Sequence, residues 1–252
     1  YLVLLGGIAF LAKKKRWLTT SGAIGAIVLG LIVLYVKGFS GFAVFLFFFL
    51  TCSVVSKVKK THNNREKKGS VRDLEQVLAN GLPAVLCLLF SMILPFGEVA
   101  VLGFSAALAE EMADTWSGTL GILSKEPPVS ILTFTPVPKG ISGGVTLLGF
   151  LGGASGALLI ALVHLGTLEM SFRSFLIISG TGFLGSVVDS LLGAAFQVQY
   201  RAKDGSLTEK EYEGEEKLER VRGIPGFDND MVNLVCGLFS ALAAFSLGLI
   251  LA

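Results

Sequence analysis

The segment Ala109–Gly121, AEEMADTWSGTLG, decides the fold because it places three carboxylates inside an otherwise apolar helix. These are the side chains of Glu110, Glu111 and Asp114. Intramembrane carboxylates are costly and face protein or water rather than lipid. Glu110 and Asp114 are four residues apart, so they share a helix face that Ser117 and Gly121 continue. This small, acidic face predicts a site for a cation or a metal-bound phosphate.

The composition around this segment is that of a membrane protein. Of 252 residues 52% are hydrophobic and 16% charged, whereas soluble domains carry about 25% charged residues. Apolar segments of nearly the ~20 residues that span a bilayer recur along the chain. We predict an all-α, polytopic transmembrane bundle as a single domain over 1–252, with about eight helices, or seven if the first is truncated. The segments are 1–12, 18–36, 39–56, 77–95, 97–122, 142–166, 173–197 and 230–252.

The distribution of basic residues predicts the topology. All but two of the 21 Lys and Arg residues fall in loops on one side of the alternating segments; Lys37 and Arg173 are the exceptions. The positive-inside rule makes the rich side cytoplasmic. The long loops 57–76 (basic), 124–142 (Gly, Pro and Lys) and 198–229 (charged) are then cytoplasmic. We expect a multi-pass protein, in the plasma membrane if prokaryotic, whose active site faces the cytoplasm.

A short internal repeat pairs two aspartates. ADTWSG at 113–118 is echoed by VDSLLG at 188–193. Asp114 and Asp189 each lie about eight residues, or ~12 Å, before the cytoplasmic end of their helix. The repeat predicts that both carboxylates lie at one depth in the membrane.

Two cytoplasmic stretches could complete such a site. FDNDMVN supplies Asp228, Asn229, Asp230 and Asn233 at the start of the last helix; one of them could be an N-cap, but oxygen ligands also suit Mg²⁺. The loop before the sixth segment joins a lysine to glycines whose N–H groups could bind phosphate, although a flexible loop explains it equally well. Its residues are Lys139, Gly140, Ser142, Gly143 and Gly144.

Other patterns favour simpler explanations. Arg72, Gln76 and Asn80 share a helix face that could reach phosphate, or be only a polar helix end. Glycines at four-residue spacing, and the GxGxxG at 180–185, indicate close helix packing. The acidic run 209–219 reads as a solvated loop or short exposed helix. Isolated cysteines and histidines support neither zinc, haem, iron–sulfur nor disulfides.

Four motifs carry a resemblance to a known family. QVLANG (76–81), ADTWSGTLG (113–121), LTFTPVPKGISGGVTLLG (132–149) and DNDMVN (228–233) resemble the integral-membrane family that includes plant and cyanobacterial phytyl-phosphate kinase. The resemblance implies phosphorylation of an isoprenyl monophosphate by a nucleoside triphosphate. Trp116-Ser117-Gly118 stands where many relatives have a small residue and an acid before the glycine.

Residue by residue, the motifs and the spacings assign three roles. Catalysis falls to Asp114, Lys139 and Asp230, and metal binding to Glu110, Asp114, Asp189, Asp228 and Asp230. Nucleotide and phosphate binding falls to Arg72, Asn80, Thr115, Ser117, Gly121, Gly140, Ser142, Gly143, Gly144, Asn229 and Asn233.

The sequence thus predicts a membrane kinase that uses Mg²⁺ and CTP or ATP to convert a prenyl or phytyl-type monophosphate to the diphosphate. The lipid tail is expected between the glycine-rich helices. Two alternatives stay open: a CTP-dependent lipid-phosphate cytidylyltransferase with the same site, and a cation- or proton-coupled transporter using the carboxylates. No nucleic-acid partner is expected, and a homo-oligomer is left open.

Overall fold

The chain forms a helical bundle with small β elements between helices, in a computed structural model that describes residues 1–60, 71–168 and 171–251. The described part contains seven helices, so the prediction of an all-α membrane bundle is confirmed. They are α1 Leu2–Lys14, α2 Thr20–Lys60, α3 Leu74–Ser91, α4 Gly97–Ile122, α5 Leu147–Thr167, α6 Phe172–Phe196 and α7 Asn229–Ile250.

Helix α2 is a hairpin of two arms that meet at Gly38. This residue has φ 59° and ψ −152°, a conformation that glycine adopts readily because it lacks a Cβ. Leu29 from the first arm and Phe45 from the second both lie against Gly81 of α3, so the arms run side by side. The predicted segments 18–36 and 39–56 are these two arms, which reconciles eight predicted segments with seven continuous helices.

Helix α4, which carries the acidic segment, is the central helix of the bundle. It packs against α2, α3, α5, α6 and α7, and every residue from Ala100 to Ala113 is buried. Five described helices are long and apolar enough to cross a membrane: α2 through Lys57, and α3, α5, α6 and α7. The chain is therefore an integral, multi-pass membrane protein. Helix α4 is not among these five because it carries three carboxylates within five residues. The surrounding helices shield those carboxylates from lipid.

Glycines bring the surrounding helices close to α4. A Cβ at Gly152 of α5 would lie 3.1 Å from the carbonyl oxygen of Trp116, and one at Gly156 would lie 2.9 Å from that of Met112. On α6, a Cβ at Gly182 would lie 2.5 Å from that of Ala109. The prediction that glycines serve helix packing is confirmed at these positions, but it is wrong for Gly180, which is exposed and has no close neighbour outside its own helix among the described residues.

Short strands, which the sequence did not predict, shape two of the long loops. In the loop before α5, β1 pairs with β2; in the loop before α7, one sheet has the order β4-β3-β7 and β5 pairs with β6, all antiparallel. The strands are β1 Val129–Ser130, β2 Gly144–Val145, β3 Gln199–Arg201, β4 Leu207–Thr208, β5 Tyr212–Glu213, β6 Glu216–Lys217 and β7 Glu219–Arg222.

The acidic run 209–219 is accordingly a β-hairpin rather than a helix. Its charges pair within the hairpin and with the turn after β3: Lys217 lies 3.1 Å from Glu211, and Lys203 lies 2.6 Å from Glu216. The hydrogen bond to Glu211 raises the pKa of Lys217. Such cross-strand pairs offset the repulsion among the many carboxylates of this run.

Candidate functional site

The predicted acidic and glycine-loop residues meet around one polar cavity of about 100 Å³. Asp114 and Asp189 both line it, as the internal repeat predicts. The cavity lies among α4, α5, α6, the glycine loop and the start of α7. Its lining also includes Ser117, Gly118, Gly121, Lys139, Gly140, Ser142, Gly143, Gly144, Ser190, Glu209 and Asn229.

The glycine loop is held against the end of α6. A Cβ at Gly143, where φ is +80°, would lie 2.3 Å from the Cβ of Ala194, so only glycine fits there. The Ser142 hydroxyl donates to Gln197 Oε1 at 2.7 Å, and Gln197 Nε2 donates to Glu209 Oε1 at 2.8 Å. Gln197 is 2% exposed, which fixes this network in place. The loop is therefore pre-positioned beside the two aspartates.

Arg222 of β7 links the glycine loop to the end of α6. Its Nη1 donates to the carbonyl of Ala194 at 3.1 Å, and its Nε donates to Gln199 Oε1 at 2.9 Å. Its Nη2 lies 3.5 Å from the carbonyl oxygen of Ser142. Burial lowers the pKa of the Arg222 guanidinium. Arg222 therefore anchors the glycine loop to the end of α6.

No role is predicted from the sequence for Gln197, Glu209 or Arg222. Gln197 follows an apolar helix, and the other two lie within a charged loop whose composition suggested only solvation. Their partners are 12 to 80 residues away in sequence, so no local spacing could have revealed them.

Lys139 lines the cavity but also stabilises α4. Its ammonium donates to the carbonyl oxygens of Ile122 at 3.2 Å and of Ser124 at 2.5 Å. Both oxygens are at the C-terminal end of α4, where the helix leaves carbonyls without partners. Lys139 thus has a capping role that the sequence did not predict, and its predicted role at a phosphate stays a prediction.

A second acidic cluster lies deeper in the bundle. One potential ligand atom each from Glu110, Asp189 and Cys236 lie within 4.8 Å of one another, and all three residues are buried. Within the described residues, neither carboxylate oxygen of Glu110 has a hydrogen-bond partner. A buried, unpartnered carboxylate is the environment that a cation would satisfy, so Glu110 and Asp189 fit a metal ion. Cys236 was absent from the predicted ligands because a lone cysteine in an apolar helix has no sequence signature.

The residues predicted at the start of α7 have different positions in the structure. Asp228 is the N-cap, and its Oδ1 accepts the N–H of Met231 at 3.3 Å. Asn229 lines the polar cavity. The metal roles predicted for Asp228 and Asp230 stay predictions.

An asparagine chain runs inward from Asn229 (residues Asn80, Asn229 and Asn233). Asn229 Nδ2 donates to Asn233 Oδ1, and Asn233 Nδ2 donates to Asn80 Oδ1, each at 3.3 Å. These hydrogen-bonded asparagines join the polar cavity to α3. Two sequence motifs that are 153 residues apart therefore meet at Asn80 and Asn233.

The remaining predicted residues, Arg72, Thr115 and Asp230, are not part of the lining of the polar cavity. Thr115 is next to the Cys52 thiol of α2, and the charges that act on Glu111 include those of Arg72 and Asp230. The Arg72 guanidinium donates to Ser53 Oγ at 3.1 Å and to Ser56 Oγ at 3.2 Å. Arg65, Lys67 and Lys68 of the basic loop lie outside the described residues. Asp114 thus lines the polar cavity, whereas Thr115 lies beside α2.

Comparison with known proteins agrees with this architecture. The family model described as "Integral membrane protein DUF92" matches residues 3–241. An uncharacterized membrane protein of Methanocaldococcus jannaschii is 37% identical over 75% of this chain and 79% of its own. Protein PGR of Arabidopsis thaliana is 28% identical over 93% and 90%, and Protein VTE6, chloroplastic, of the same plant is 25% identical over 71% and 56%. No solved structure is significantly similar to the chain.

Proposed function

The chain belongs to the DUF92 family of integral membrane proteins, and from that premise we propose that it is a membrane kinase for isoprenyl monophosphates. It would transfer a phosphoryl group from CTP or ATP to the lipid monophosphate and release the diphosphate at the cytoplasmic face. The motif resemblance to the family that includes phytyl-phosphate kinase gives the substrate class.

The observation that carries the proposal is the polar cavity itself. It brings two carboxylates, Asp114 and Asp189, within reach of a glycine loop whose main-chain N–H groups can bind phosphate oxygens. Carboxylates alone would repel a nucleotide, so the arrangement suits a cation held between them and the phosphates. A transporter has no need of the fixed glycine loop.

The chemistry asks for positioning more than for a strong base. An oxygen of the acceptor phosphate attacks the γ-phosphorus of the nucleotide, the bond from that phosphorus to its β–γ bridging oxygen breaks, and the nucleoside diphosphate leaves. Because the acceptor is already an oxyanion, no proton has to be removed from it. In-line placement and charge neutralisation supply most of the rate enhancement in such transfers.

The described residues have distinct parts in this scheme. Asp114 and Asp189, with Glu110 behind them, would hold Mg²⁺, which supplies positive charge against the nucleotide phosphates. The N–H groups of Gly143 and Gly144 would stabilise the transferring group. Gln197 would keep Ser142 and the loop in place through the 2.7 Å hydrogen bond. Asn229 would orient a phosphate oxygen at the opposite wall.

The direct test is a turnover assay on the purified chain in lipid nanodiscs with Mg²⁺. Geranyl and phytyl monophosphate are offered with γ-labelled ATP or CTP, and the lipid products are separated chromatographically. We expect labelled lipid diphosphate with at least one donor. CDP-lipid with release of pyrophosphate would replace the kinase by the cytidylyltransferase, and absence of any product with all donors and acceptors would refute both.

A matched pair of variants tests the site. Asp114→Asn is expected to lower turnover by a factor of ~10³ or more, because it removes a carboxylate from the cation's ligands at nearly constant shape. Glu98→Gln changes an exposed acid at the opposite end of the same helix and should leave turnover unchanged. Equal thermal stability of both variants would show that the loss is chemical; full activity of Asp114→Asn would remove Asp114 from the mechanism.

A further inference from the structure

A second cavity, of about 60 Å³, lies between α1, the two arms of α2 and α3. Most of its wall is aliphatic or aromatic, so it is suited to a hydrocarbon. The apolar lining consists of Leu5, Ile8, Ala9, Ala12, Leu18, Ala26, Ile27, Phe42, Phe45, Leu46, Phe48, Phe49, Cys52, Val77 and Gly81. We call it the apolar cavity.

One part of the apolar cavity is polar and positively charged. Arg72, Gln76 and Asn80 line it. Gln76 and Asn80 lie on α3, but Arg72 precedes the N-cap Asp73 and forms a β-bridge with Leu18, so the predicted three-residue helix face is wrong for Arg72. The Arg72 main chain is fixed by hydrogen bonds to Trp17 and Thr19, and the hydroxyls of Ser53 and Ser56 hold its guanidinium. A guanidinium fixed on an apolar cavity is complementary to an amphiphile with an anionic head.

The polar part of the apolar cavity is connected to the polar cavity. Asn80 lines the first and Asn229 lines the second, and Asn233 joins them by two hydrogen bonds of 3.3 Å. On α4, the consecutive residues Asp114 and Thr115 face the polar cavity and the Cys52 thiol of the apolar cavity, respectively. The wall of the apolar cavity at Cys52 therefore lies next to the residue that follows Asp114.

We infer that the apolar cavity seats the acceptor lipid, with its phosphate at Arg72 and Asn80 and its first isoprene unit among the phenylalanines. This assignment rests on the proposed function and adds the place and orientation of the acceptor. The volume is about four to six times what one water molecule needs, which suits one five-carbon unit rather than a complete tail. The rest of the tail would leave past the half-buried Ile8, Ile27 and Leu46 toward the bilayer.

The expected position of the tail between glycine-rich helices is replaced by this one. The glycines of α5 and α6 bring main chains so close to α4 that a single added Cβ would lie 2.5–3.1 Å from its neighbour at Gly152, Gly156 and Gly182. Such contacts leave no space for a hydrocarbon chain.

The test is photo-crosslinking, which does not need turnover. The full chain in nanodiscs is incubated with a geranyl monophosphate that carries a diazirine on its first isoprene unit, irradiated, digested and mapped by mass spectrometry. We expect label on the second arm of α2, around Phe42–Phe49, and on α1, with competition by unlabelled geranyl monophosphate. Label concentrated on α5 or α6, or label that does not saturate, would overturn the inference.

Three variants test whether the labelling depends on the apolar cavity and on Arg72. Ala26→Leu fills the cavity and should reduce saturable labelling severalfold, because the wall cannot accept extra atoms and ligand together. Ala243→Leu, at an equally half-buried alanine of α7 outside the cavity, should not. Arg72→Gln should weaken labelling roughly tenfold or more, the loss expected for a charge-assisted hydrogen bond, while labelling by the corresponding geraniol probe stays constant.

The outcomes separate this inference from the kinase proposal. Label in the apolar cavity without turnover would support the assignment of the cavity and refute the kinase. Turnover with label elsewhere would support the kinase and refute the assignment. Equal labelling of the Ala26→Leu and Ala243→Leu variants would likewise refute it.

Discussion

The packing of α6 against the acidic helix can be tested by adding one methyl group at Gly185. A Cβ at this position would lie 1.9 Å from Ser240 Oγ and 2.6 Å from Glu110 Cγ. Alanine in place of glycine contributes up to ~1 kcal/mol of helix propensity, whereas overpacking a buried site costs ~1–3 kcal/mol. Displacing Ser240 also breaks its hydrogen bond to the Thr181 carbonyl, worth ~1 kcal/mol. We therefore expect Gly185→Ala to lower the free energy of unfolding by ~1–3 kcal/mol.

Gly180→Ala is the matched control on the same helix. Gly180 is exposed, and outside its own stretch of helix no atom of the described residues lies within 4 Å of the position where its Cβ would be. Gly180→Ala should gain only the helix propensity of alanine. Because both variants share that gain, they should differ by the overpacking cost and the lost hydrogen bond, ~2–4 kcal/mol in the free energy of unfolding. Thermal or denaturant unfolding of both in the same detergent measures the difference. If Gly185→Ala is as stable as Gly180→Ala, α6 does not pack on Glu110 and Ser240 as described.

Further predictions concern the polar contacts of the site. Asn233→Leu should cost ~1–3 kcal/mol in unfolding experiments, because it leaves the amides of Asn80 and Asn229 without this partner; Val235→Leu, on an exposed face of α7, should be near neutral. Thr146→Ala should cost ~1 kcal/mol, because its hydroxyl accepts the Gly149 N–H at the start of α5. Lys139→Met should cost ~0.5–1 kcal/mol by uncapping α4, and unchanged stability would contradict that cap.

The general architecture follows from the sequence because it depends on local properties. Segment hydropathy predicts the membrane helices, and the charge pattern of the loops agrees with their alternation. The predicted segments 18–36 and 39–56 correspond to the two helical arms of α2, which meet at the non-helical Gly38.

Only the part of the site that depends on local sequence properties can be predicted from the sequence. Asp114 and Asp189 could be paired because the repeat places them at equal depth, and the glycine loop was recognised by its composition. The contacts among Gln197, Glu209 and Arg222 depend on how the charged loop folds into strands, which no local pattern encodes. The position of Asp114 in the lining of the polar cavity, and of Thr115 next to Cys52 of α2, depends on which helices flank α4.

The central position of α4 also constrains how the protein is made. Insertion of a helix from the translocon costs about 2.5–3.5 kcal/mol for each charged residue near the membrane centre, and this helix carries three carboxylates within five residues. Such a segment gains little from entering lipid before its neighbours are present. The apolar helices that follow it, α5, α6 and α7, must therefore be synthesised before α4 becomes stable in the bilayer. The residues that equip the molecule for chemistry thus make its biogenesis cooperative, and a nascent chain that ends after α4 would be a substrate for membrane quality control.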